Sequence, residues 1–539
     1  MTSQSSRNND NSSLSVDLEE SSLQTASKTP ALVIRDLYEY EDLSKDLRND
    51  PELRKDFLAT FTAEEEKAIM RKVDNRFLVL IGFMFMFKNI DFSNVSIIKT
   101  MQAGTPNNIM AELGFTPDAY NWVGTIQGIP YIIFELPSNL LLKWMTPHSM
   151  ESRIFLTWGI ATACCAAVQT TNQLLACRWL VGMFEAGMFP GVITTLSYWY
   201  RTDEVGRPIL WFFWISQFST IVGSLICYGA SYMDGLRALS GWRWAFILEG
   251  VATIIFAGII FFLLPDFPKS PRSSKWLTPR EQQFIEARLP PNAPATGDPS
   301  WKTKDAWVAF KSPTTWAFLF DQTLMNLSLY ALNWYMPTII AGLGFAKLPA
   351  SLLLNIPPAF AAILAMVLCV LVTSRALAPR PLLCVFVVLG SIVCYILFFT
   401  VSGSGGLYAA CILSQFFTSS YYVPYWSWRT SIMSGSTGAA FAIGLQSSVA
   451  QLGAAIGPQF FQQKWASDRY RNSFLIGTAI TLAALVTNLW TWWLTRDIER
   501  RVNQVRKATL KARREGKAYT GNEDIDVLGD RKIKNNSWW

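Results

Sequence analysis

Long apolar stretches alternate with short polar segments along most of the chain. Crossing the hydrocarbon core of a bilayer requires about 20 predominantly apolar residues, and twelve stretches approach or exceed this length. The first six are 77–98, 119–142, 153–171, 174–199, 208–232 and 244–265, and the second six are 314–337, 350–373, 381–401, 406–428, 437–461 and 472–494. The pattern predicts an all-α membrane protein with twelve transmembrane helices in two six-helix bundles.

The polar segments divide the chain into five parts. They are a disordered cytosolic tail at 1–61, an N-terminal bundle at 62–265, a cytosolic central loop at 266–312, a C-terminal bundle at 313–494 and a basic cytosolic tail at 495–539. The first tail is polar and acidic, which is typical of disordered segments. Capping-box spacing of Thr62 with Glu65 predicts one helix start, and the run Thr278-Pro279-Arg280-Glu281, with Pro279 at the first helical position, predicts another.

Composition supports a membrane protein without enzymatic chemistry. Of 539 residues, 50% are hydrophobic and 16% are charged, against about 25% charged in soluble domains. The eight cysteines all lie in apolar stretches, as buried apolar side chains do. His148 is the single histidine, which excludes a site built from several histidines. Phosphate-binding-loop and hydrolase motifs are absent from the sequence, so we expect neither an enzyme nor a cofactor.

The distribution of Lys and Arg predicts the orientation. The net charge is +7, and cytoplasmic loops of membrane proteins collect basic residues. With the N-terminus inside, the central loop and the basic tail place the excess of Lys and Arg inside. We therefore expect both termini to be cytosolic, and we expect the positive charge to face a lipid bilayer and not nucleic acid. We also expect a multi-pass protein of the plasma membrane that is a monomer.

Charged residues inside the predicted spans are the main functional candidates. Each costs on the order of 2.5–3.5 kcal/mol against hydrocarbon, so its default interpretation is functional. They are Lys88, Asp91, Glu135, Arg178, Glu185, Glu249 and Asp321, with Arg429 at the inner end of the tenth span.

Two ion pairs are predicted between the first and fourth spans. At about 1.5 Å per residue, Lys88 and Glu185 fall near mid-membrane, and Asp91 and Arg178 fall in the outer half. Both residues of each span share one helix face, so we expect Asp91 to pair with Arg178 and Lys88 with Glu185. Either the pairs serve transport or they only fix helix packing, although buried pairs are poor sources of stability.

The remaining candidates divide into two groups. Structural or gating roles are predicted for Glu135, Arg243, Glu249, Asp321 and Arg429. Polar and aromatic side chains in the seventh and tenth spans are predicted to line a cavity and bind substrate, with packing as the alternative. They are Asn326, Tyr330, Asn333, Tyr421 and Tyr425.

Five sequence runs resemble one branch of a known family. The runs 91–94, 134–139, 178–191, 199–204 and 241–250 resemble the anion:cation symporter branch of the major facilitator superfamily, and within it the fungal allantoate permease-like members. The resemblance covers about residues 62–500. It implies the twelve-helix facilitator fold, alternating access, and substrates that are small organic anions or vitamins moved with a proton. It also implies proton coupling or substrate binding by Asp91, Arg178 and Glu185.

One departure from this branch affects the substrate site. Its members usually carry Asp-Arg in the first span, whereas this chain has Asp91-Phe92. Lys88 lies on the same face and is expected to supply the positive charge, together with Arg178. The sequence thus predicts proton-coupled uptake of a small carboxylate, with protons carried by Asp91 or Glu185. The alternatives are an exporter of a secondary metabolite and a non-transporting nutrient sensor. The short tails argue against the sensor, which usually carries a long additional cytosolic domain.

Overall fold

The described residues form a helical membrane protein. The computed structural model describes residues 51–141, 145–200, 206–289, 303–432 and 436–514, which form α-helices and short 3-10 helices and contain no strand. Within these ranges, seven segments are long and apolar enough to cross a membrane. They are Glu64–Ile98, Thr171–Leu196, Trp211–Ser231, Gly241–Leu263, Ala350–Ser374, Arg380–Thr400 and Arg471–Ala508.

The first half of the chain contains ten α-helices in the described residues. They are α1 (Pro51–Ala59), α2 (Ala63–Ile98), α3 (Ile109–Leu113), α4 (Pro117–Leu141), α5 (Pro147–Cys164), α6 (Thr171–Glu185), α7 (Met188–Ser197), α8 (Gly206–Ser216), α9 (Ser219–Ser231) and α10 (Gly241–Leu263). The apolar stretch 174–199 is interrupted between α6 and α7, and 208–232 between α8 and α9, so neither forms one continuous α-helix.

Ten more helices follow in the described part of the second half. They are α11 (Pro279–Ala287), α12 (Thr303–Lys311), α13 (Pro313–Gly342), α14 (Ile356–Ser374), α15 (Arg380–Thr400), α16 (Ser404–Ser420), α17 (Tyr422–Thr430), α18 (Ser436–Ala450), α19 (Leu452–Ile456) and α20 (Arg471–Arg514). Helix α20 continues well past residue 494, where the apolar pattern ends. Beyond that point Arg380 forms a buried ion pair with Glu499, which holds the extension against α15.

Both predicted helix starts carry a capping box. The Thr62 hydroxyl accepts from the Glu65 backbone, and the Glu65 carboxylate accepts from the Thr62 backbone. Thr278 and Glu281 repeat this arrangement at the start of α11. Each box satisfies two backbone donors that a helix start leaves free, which confirms the two helix starts that the sequence predicts.

The prediction of disorder is wrong for residues 51–59, which form α1. Phe57 is fully buried, and Arg54 donates from Nε to the Ala287 carbonyl at 2.6 Å and from Nη2 to the Leu289 carbonyl at 2.7 Å. These contacts satisfy carbonyls that the end of α11 leaves free. Residues 1–50 of the predicted tail, 290–302 of the central loop and 515–539 of the basic tail lie outside the described residues.

The bundle has two recognisable ends. At the proximal end, the start of α2 meets α11, where Lys72 Nζ lies 2.7 Å from Glu281 Oε1. At the distal end, the Asp118 carboxylate accepts a hydrogen bond from the backbone of Gln463 at 2.7 Å. Residues far apart in sequence therefore close each end of the bundle.

Helix α4 lies at the centre and contacts both halves closely. A β-carbon at Gly182 of α6 would fall 2.0 Å from the Gln127 carbonyl oxygen of α4. A β-carbon at Gly128 would fall 2.8 Å from the backbone nitrogen of Ala455 in α19. Only glycine permits both approaches, and the resulting spacing sets the width of the space between the halves.

Candidate functional site

A small cavity of about 30 Å³ lies between the two halves of the bundle. It has room for about two water molecules, so a small-molecule substrate, whose site occupies about 300–1,000 Å³, requires the halves to rearrange. Polar, aromatic and small side chains from both halves form its wall. They are Lys88, Asn89, Phe92, Gly124, Gln127, Gly128, Tyr131, Glu185, Tyr330, Gln451 and Ala454.

Lys88 and Glu185 form the charged part of this wall. Lys88 Nζ lies 3.7 Å from Glu185 Oε1, which confirms the first predicted pair. The same ammonium donates a hydrogen bond to the Tyr131 hydroxyl at 2.9 Å. A cation and an acid therefore line the same cavity. Their Coulomb attraction depends on the local dielectric constant, so water or a ligand that enters the cavity changes it.

Asp91 and Arg178 form the second predicted pair but do not line the cavity. Arg178 Nη1 donates to Asp91 Oδ1 at 2.9 Å, and both side chains are fully buried. The indole of Trp158 donates to the other oxygen of Asp91 at 3.3 Å. The predicted contact between Arg178 and substrate is therefore not available in this arrangement, because Asp91 and its neighbours surround the guanidinium.

Gln127 connects the two ion pairs. Its Nε2 lies 3.3 Å from Asp91 Oδ2 and 3.0 Å from Glu185 Oε2. The sequence reasoning missed Gln127 and Tyr131, although a signal was present: Gln127, Tyr131 and Glu135 recur every four residues on one face of α4. One amide group thus links a carboxylate on the cavity wall to a carboxylate behind it.

Only Tyr330 among the predicted ligands of the second half lines the cavity. Asn326 accepts a hydrogen bond from the Tyr422 hydroxyl at 2.6 Å and donates to the Ala450 carbonyl at 3.1 Å. Asn333 accepts from Gln415 at 2.6 Å. These partners use the amide groups for helix-to-helix contacts, so neither asparagine lines the cavity in this arrangement, and substrate binding by them stays a prediction.

Tyr425 of α17 and Tyr421, which directly precedes this helix, pack inside the second half. The Tyr425 hydroxyl donates to the Phe318 carbonyl at 2.6 Å, and the rings of Tyr421 and Tyr425 stack with centroids 5.0 Å apart. Both residues are almost completely buried and neither lines the cavity. Of the two interpretations that the sequence left open for them, packing applies here.

The predicted structural or gating residues occupy separate contacts. Glu249 accepts from Asn94 at 3.2 Å, Asp321 accepts from Asn488 at 2.9 Å, and Arg429 donates to Gln446 at 2.9 Å. Glu135 is buried and has no hydrogen-bond partner among the described residues. These groups bind neighbouring helices or lie close to them, and none of them forms part of the cavity wall.

Arg243 fixes the distal end of the first half. It lies 2.7 Å from Glu112 of α3 and donates to the carbonyls of Ala166 and Val168. Partial burial opposes ionisation of Glu112, but hydrogen bonds from Ser240, Arg243 and Trp242 outweigh it and hold the pKa of Glu112 below its usual value. Arg243 thus joins three segments at this end.

Contacts between the halves close the cavity at both ends. On the distal side, Asn121 donates to the Phe461 carbonyl at 3.0 Å and accepts from Trp334 at 3.0 Å. On the proximal side, the rings of Phe213 and Tyr422 stack with centroids 5.4 Å apart. These contacts join the halves on both sides of the cavity, so a ligand-sized space opens only when one of the two layers separates.

The sequence profile of the Major Facilitator Superfamily matches residues 78–458. The chain belongs to this superfamily. Its fold is similar to that of a bacterial homolog to the human lysosomal transporter Spinster, solved in an inward-facing and occupied conformation. The TM-score is 0.57 at 14% sequence identity, and the match covers 77% of this chain and 96% of the other. Family and fold agree with the helical bundle and its central cavity.

Curated relatives are named as transporters. The chain is 27% identical over 486 residues to the MFS-type transporter cnsO of Penicillium expansum, covering 87% of this chain and 90% of that protein. It is 29% identical over 301 residues to MFS transporter prlL of Fungal sp. (strain NRRL 50135), covering 55% of this chain and 59% of that relative. A protein of Agrobacterium vitis with the name "Putative tartrate transporter" is 29% identical over 307 residues, which span 57% of this chain and 65% of that protein. The matched regions thus span 59% to 90% of the length of these relatives, all of which are named as transporters.

Proposed function

We propose that this facilitator is a secondary active transporter that takes up a small organic anion together with a proton. It works by alternating access, as a monomer with twelve transmembrane helices in the plasma membrane, and belongs to the anion:cation symporter branch. The observation that carries the proposal is the Lys88–Glu185 pair on the wall of the cavity between the halves. A substrate named in a relative, tartrate, is an organic anion of the expected class.

The pair couples proton and anion through charge balance. With Glu185 ionised, Lys88 has its counter-charge and the wall is neutral. A proton on Glu185 removes that counter-charge, so Lys88 is free to bind a carboxylate. Loss of the proton on the other side restores the pair and expels the anion, because the two acids then compete for one ammonium. Each ligand thus stabilises the conformation to which it binds better.

The buried pair behind the wall supports this exchange. Gln127 contacts both Asp91 and Glu185, so a change of charge at Glu185 alters the hydrogen bond from Gln127 to Asp91. If Asp91 takes up a proton, Arg178 becomes a second cation for the anion. Asp91 is therefore the second candidate for proton coupling, and Arg178 a substrate ligand in another conformation of the cycle.

Transport by purified protein in liposomes tests the proposal. The liposomes are offered labelled tartrate, aliphatic and aromatic monocarboxylates, and the amide and amine analogues of these acids. The outside solution is made either more alkaline or more acidic than the inside. We expect accumulation of an acid, only with the acidic side outside, that a protonophore abolishes. Uptake of an amine without any acid contradicts the anion assignment, and transport only against an opposing proton flux identifies an exporter. Binding of an acid without transport identifies a sensor.

The orientation is tested separately. The proximal end and both termini are proposed to be cytosolic. Exposed positions exist at each end, namely Lys275 near α11 and Lys464 near Asp118. In cells, an impermeant maleimide is expected to label Lys464→Cys above the parent chain and to label Lys275→Cys only after permeabilisation. The reverse pattern contradicts the proposed topology.

A further inference from the structure

Two carboxyl groups on the proximal side of the cavity have no part in the mechanism above. Glu135 of α4 is 1% exposed and Glu151 of α5 is 0% exposed. None of their four carboxyl oxygens has a hydrogen-bond partner among the described residues. Buried polar groups are paired in the great majority of cases, so two unpaired acids close to a transport site require an explanation.

Glu151 is pressed against α7 without a hydrogen-bond partner among the described residues. A β-carbon at Gly191 of α7 would fall 2.3 Å from Glu151 Oε1, so the acid occupies the space that the missing side chain leaves. One turn earlier, a β-carbon at Gly187 would fall 1.9 Å from the Ser138 hydroxyl of α4. The three helices α4, α5 and α7 therefore meet around this carboxyl group.

Glu135 lies at the boundary between the halves. The hydroxyl groups of Ser447 and Ser448 of α18, in the second half of the chain, lie near its carboxyl group without reaching hydrogen-bond geometry, and the charge of Lys88 acts on it. Because Ser447 and Ser448 belong to the opposing half, separation of the halves at this place brings water to Glu135. The carboxyl group is thus positioned to change its surroundings during alternating access.

Tyr131 relates these acids to the cavity. It lines the cavity, lies one helical turn from Glu135, and interacts electrostatically with Glu135, Glu185 and Glu151. Among the described residues, charged or titratable groups on neighbouring elements include Lys88 and Asp91 on α2, His148 and Arg153 on α5, Arg178 on α6, Glu249 on α10, Tyr330 on α13 and Asp266 after α10. His148 and Asp266 contact each other at 2.6 Å.

A buried carboxylate without a cation costs several kcal/mol. Such a group therefore holds a proton while it is enclosed and releases it when water arrives. Neither acid is held by a cation within ion-pair distance among the described residues, in contrast to Asp91 and Glu185. Such acids keep their protons while they are buried and release them when the proximal side opens to water. They are therefore suited to carry protons toward that side.

We infer that Glu135 and Glu151 form a proton-release route from Glu185 to the proximal end of the bundle. The inference rests on the proposed proton coupling at Glu185. Glu151 first gives its proton to water at the opened proximal side, Glu135 then protonates the Glu151 carboxylate, and Glu185 protonates Glu135. Each step moves one proton from a carboxylic acid to a carboxylate, with water bridging the gaps, so the net result is one proton lost from Glu185.

Infrared spectroscopy of the purified full-length chain in lipid nanodiscs tests the two sites without any substrate. We expect protonated-carboxyl bands that shift in heavy water and disappear reversibly as the pH is raised. Glu135→Gln and Glu151→Gln should each remove the band area of one carboxyl group. Glu66→Gln, which changes an exposed acid on α2, is the matched control and should remove none. Glu151→Asp keeps a carboxyl group and reports on the site if the Gln variant folds poorly.

Two results overturn the inference. If no band is lost in either Gln variant, the acids are ionised in the enclosed state. If the bands are present but neither titrate nor exchange their protons, the acids are static parts of the packing. Both readouts are independent of transport, so they stand even if the liposome experiment contradicts the proposed function.

A transport measurement then connects the sites to coupling. For an acid that the wild type accumulates, Glu151→Gln should slow gradient-driven uptake at least tenfold while counterflow exchange keeps most of its rate. Equal loss of both activities indicates a structural defect and contradicts the route. Unchanged gradient-driven uptake in Glu135→Gln and Glu151→Gln contradicts it as well.

Discussion

Arg178 and Asp91 form an ion pair in which neither partner reaches the cavity. Nη1 of Arg178 lies 2.9 Å from Oδ1 of Asp91, and both side chains are completely buried. Lys88 and Glu185, by contrast, are 3.7 Å apart on the cavity wall. One pair is thus buried among helices and the other lines the cavity. We expect mutations in the first to affect stability and mutations in the second to affect binding and transport.

Loss of one partner of the buried pair should destabilise the protein. Arg178→Gln leaves the Asp91 carboxylate buried without its cation, which costs about 3–5 kcal/mol. We expect a lower melting temperature in detergent for Arg178→Gln and partial recovery in the double variant with Asp91→Asn, because the unpaired charge is then removed. A double variant less stable than Arg178→Gln alone contradicts this account.

The sequence was sufficient for the ion pairs because two simple rules determine them. Helical periodicity places Lys88 and Asp91 on one face, and rise per residue sets their depth against Arg178 and Glu185. Which pair lines the cavity depends on how Gln127 and Trp158 pack around Asp91. That packing is a tertiary property, and no local pattern encodes it.

Other features were missed for similar reasons. The tyrosines 421 and 425 form an aromatic cluster that is compatible with a ligand wall or a core, and only the position of Phe318 shows that it is a core. The helix α1 has too few apolar residues to be recognised alone. Its Phe57 ring packs against Phe61 with centroids 5.4 Å apart, and Phe61, which follows α1, lies 4.4 Å from the ring of Phe284 in α11.

Close contact of α4 with α6 should make Gly182 intolerant of a side chain. A β-carbon there would lie 2.0 Å from the Gln127 carbonyl oxygen, so Gly182→Ala must push the helices apart. We expect a loss of about 1–3 kcal/mol, measured as a lower melting temperature. Gly258→Ala is the control, because nothing lies within 4 Å of the added carbon, and equal effects of both substitutions exclude the packing explanation.

Replacement of Lys88 should weaken substrate binding without unfolding the protein. Lys88→Gln removes a charged hydrogen-bond donor worth about 1.5–3 kcal/mol, so the affinity for a transported acid should fall at least tenfold. Lys88→Arg keeps the charge and should be milder. Ligand-induced thermal stabilisation measures both, with the exposed Lys464→Gln as control. Unchanged stabilisation by the acid in Lys88→Gln contradicts the assignment of Lys88 as its ligand.

Replacement of Glu185 should separate accumulation from exchange. Glu185→Gln cannot ionise, so the site keeps its unpaired Lys88 ammonium through the whole cycle and no longer links anion movement to proton movement. We expect gradient-driven accumulation to be abolished and counterflow of the same acid to continue in part. Concentrative uptake at the wild-type rate in this variant excludes Glu185 as the proton carrier.

The distal closure should respond to pH through Lys99. This side chain is 6% exposed, and its ammonium lies 5.7 Å from the ring centroid of Tyr120 and 5.8 Å from that of Tyr335, which belong to opposite halves. Burial lowers the pKa of Lys99 to about 8, although the charge of Asp118 acts in the opposite direction. The closed arrangement therefore prefers the neutral amine, whereas an unfolded or separated arrangement has the ordinary value of 10.5.

The sign of the effect follows from this difference. Between about pH 8 and pH 10.5 the open and unfolded forms bind more protons than the closed form, so stability rises with pH in this window. Below pH 8 both forms are charged, and the closed form carries the full cost of the buried ammonium, on the order of 3 kcal/mol. We expect the melting temperature of the wild type to gain a pH-dependent increment between pH 8 and pH 10. Lys99→Met, which keeps the apolar stem, should lose this increment and melt higher than the wild type at pH 7. The exposed Lys464→Met is the matched control, and if Lys99→Met and the wild type keep the same pH profile, the buried ammonium does not govern the distal closure.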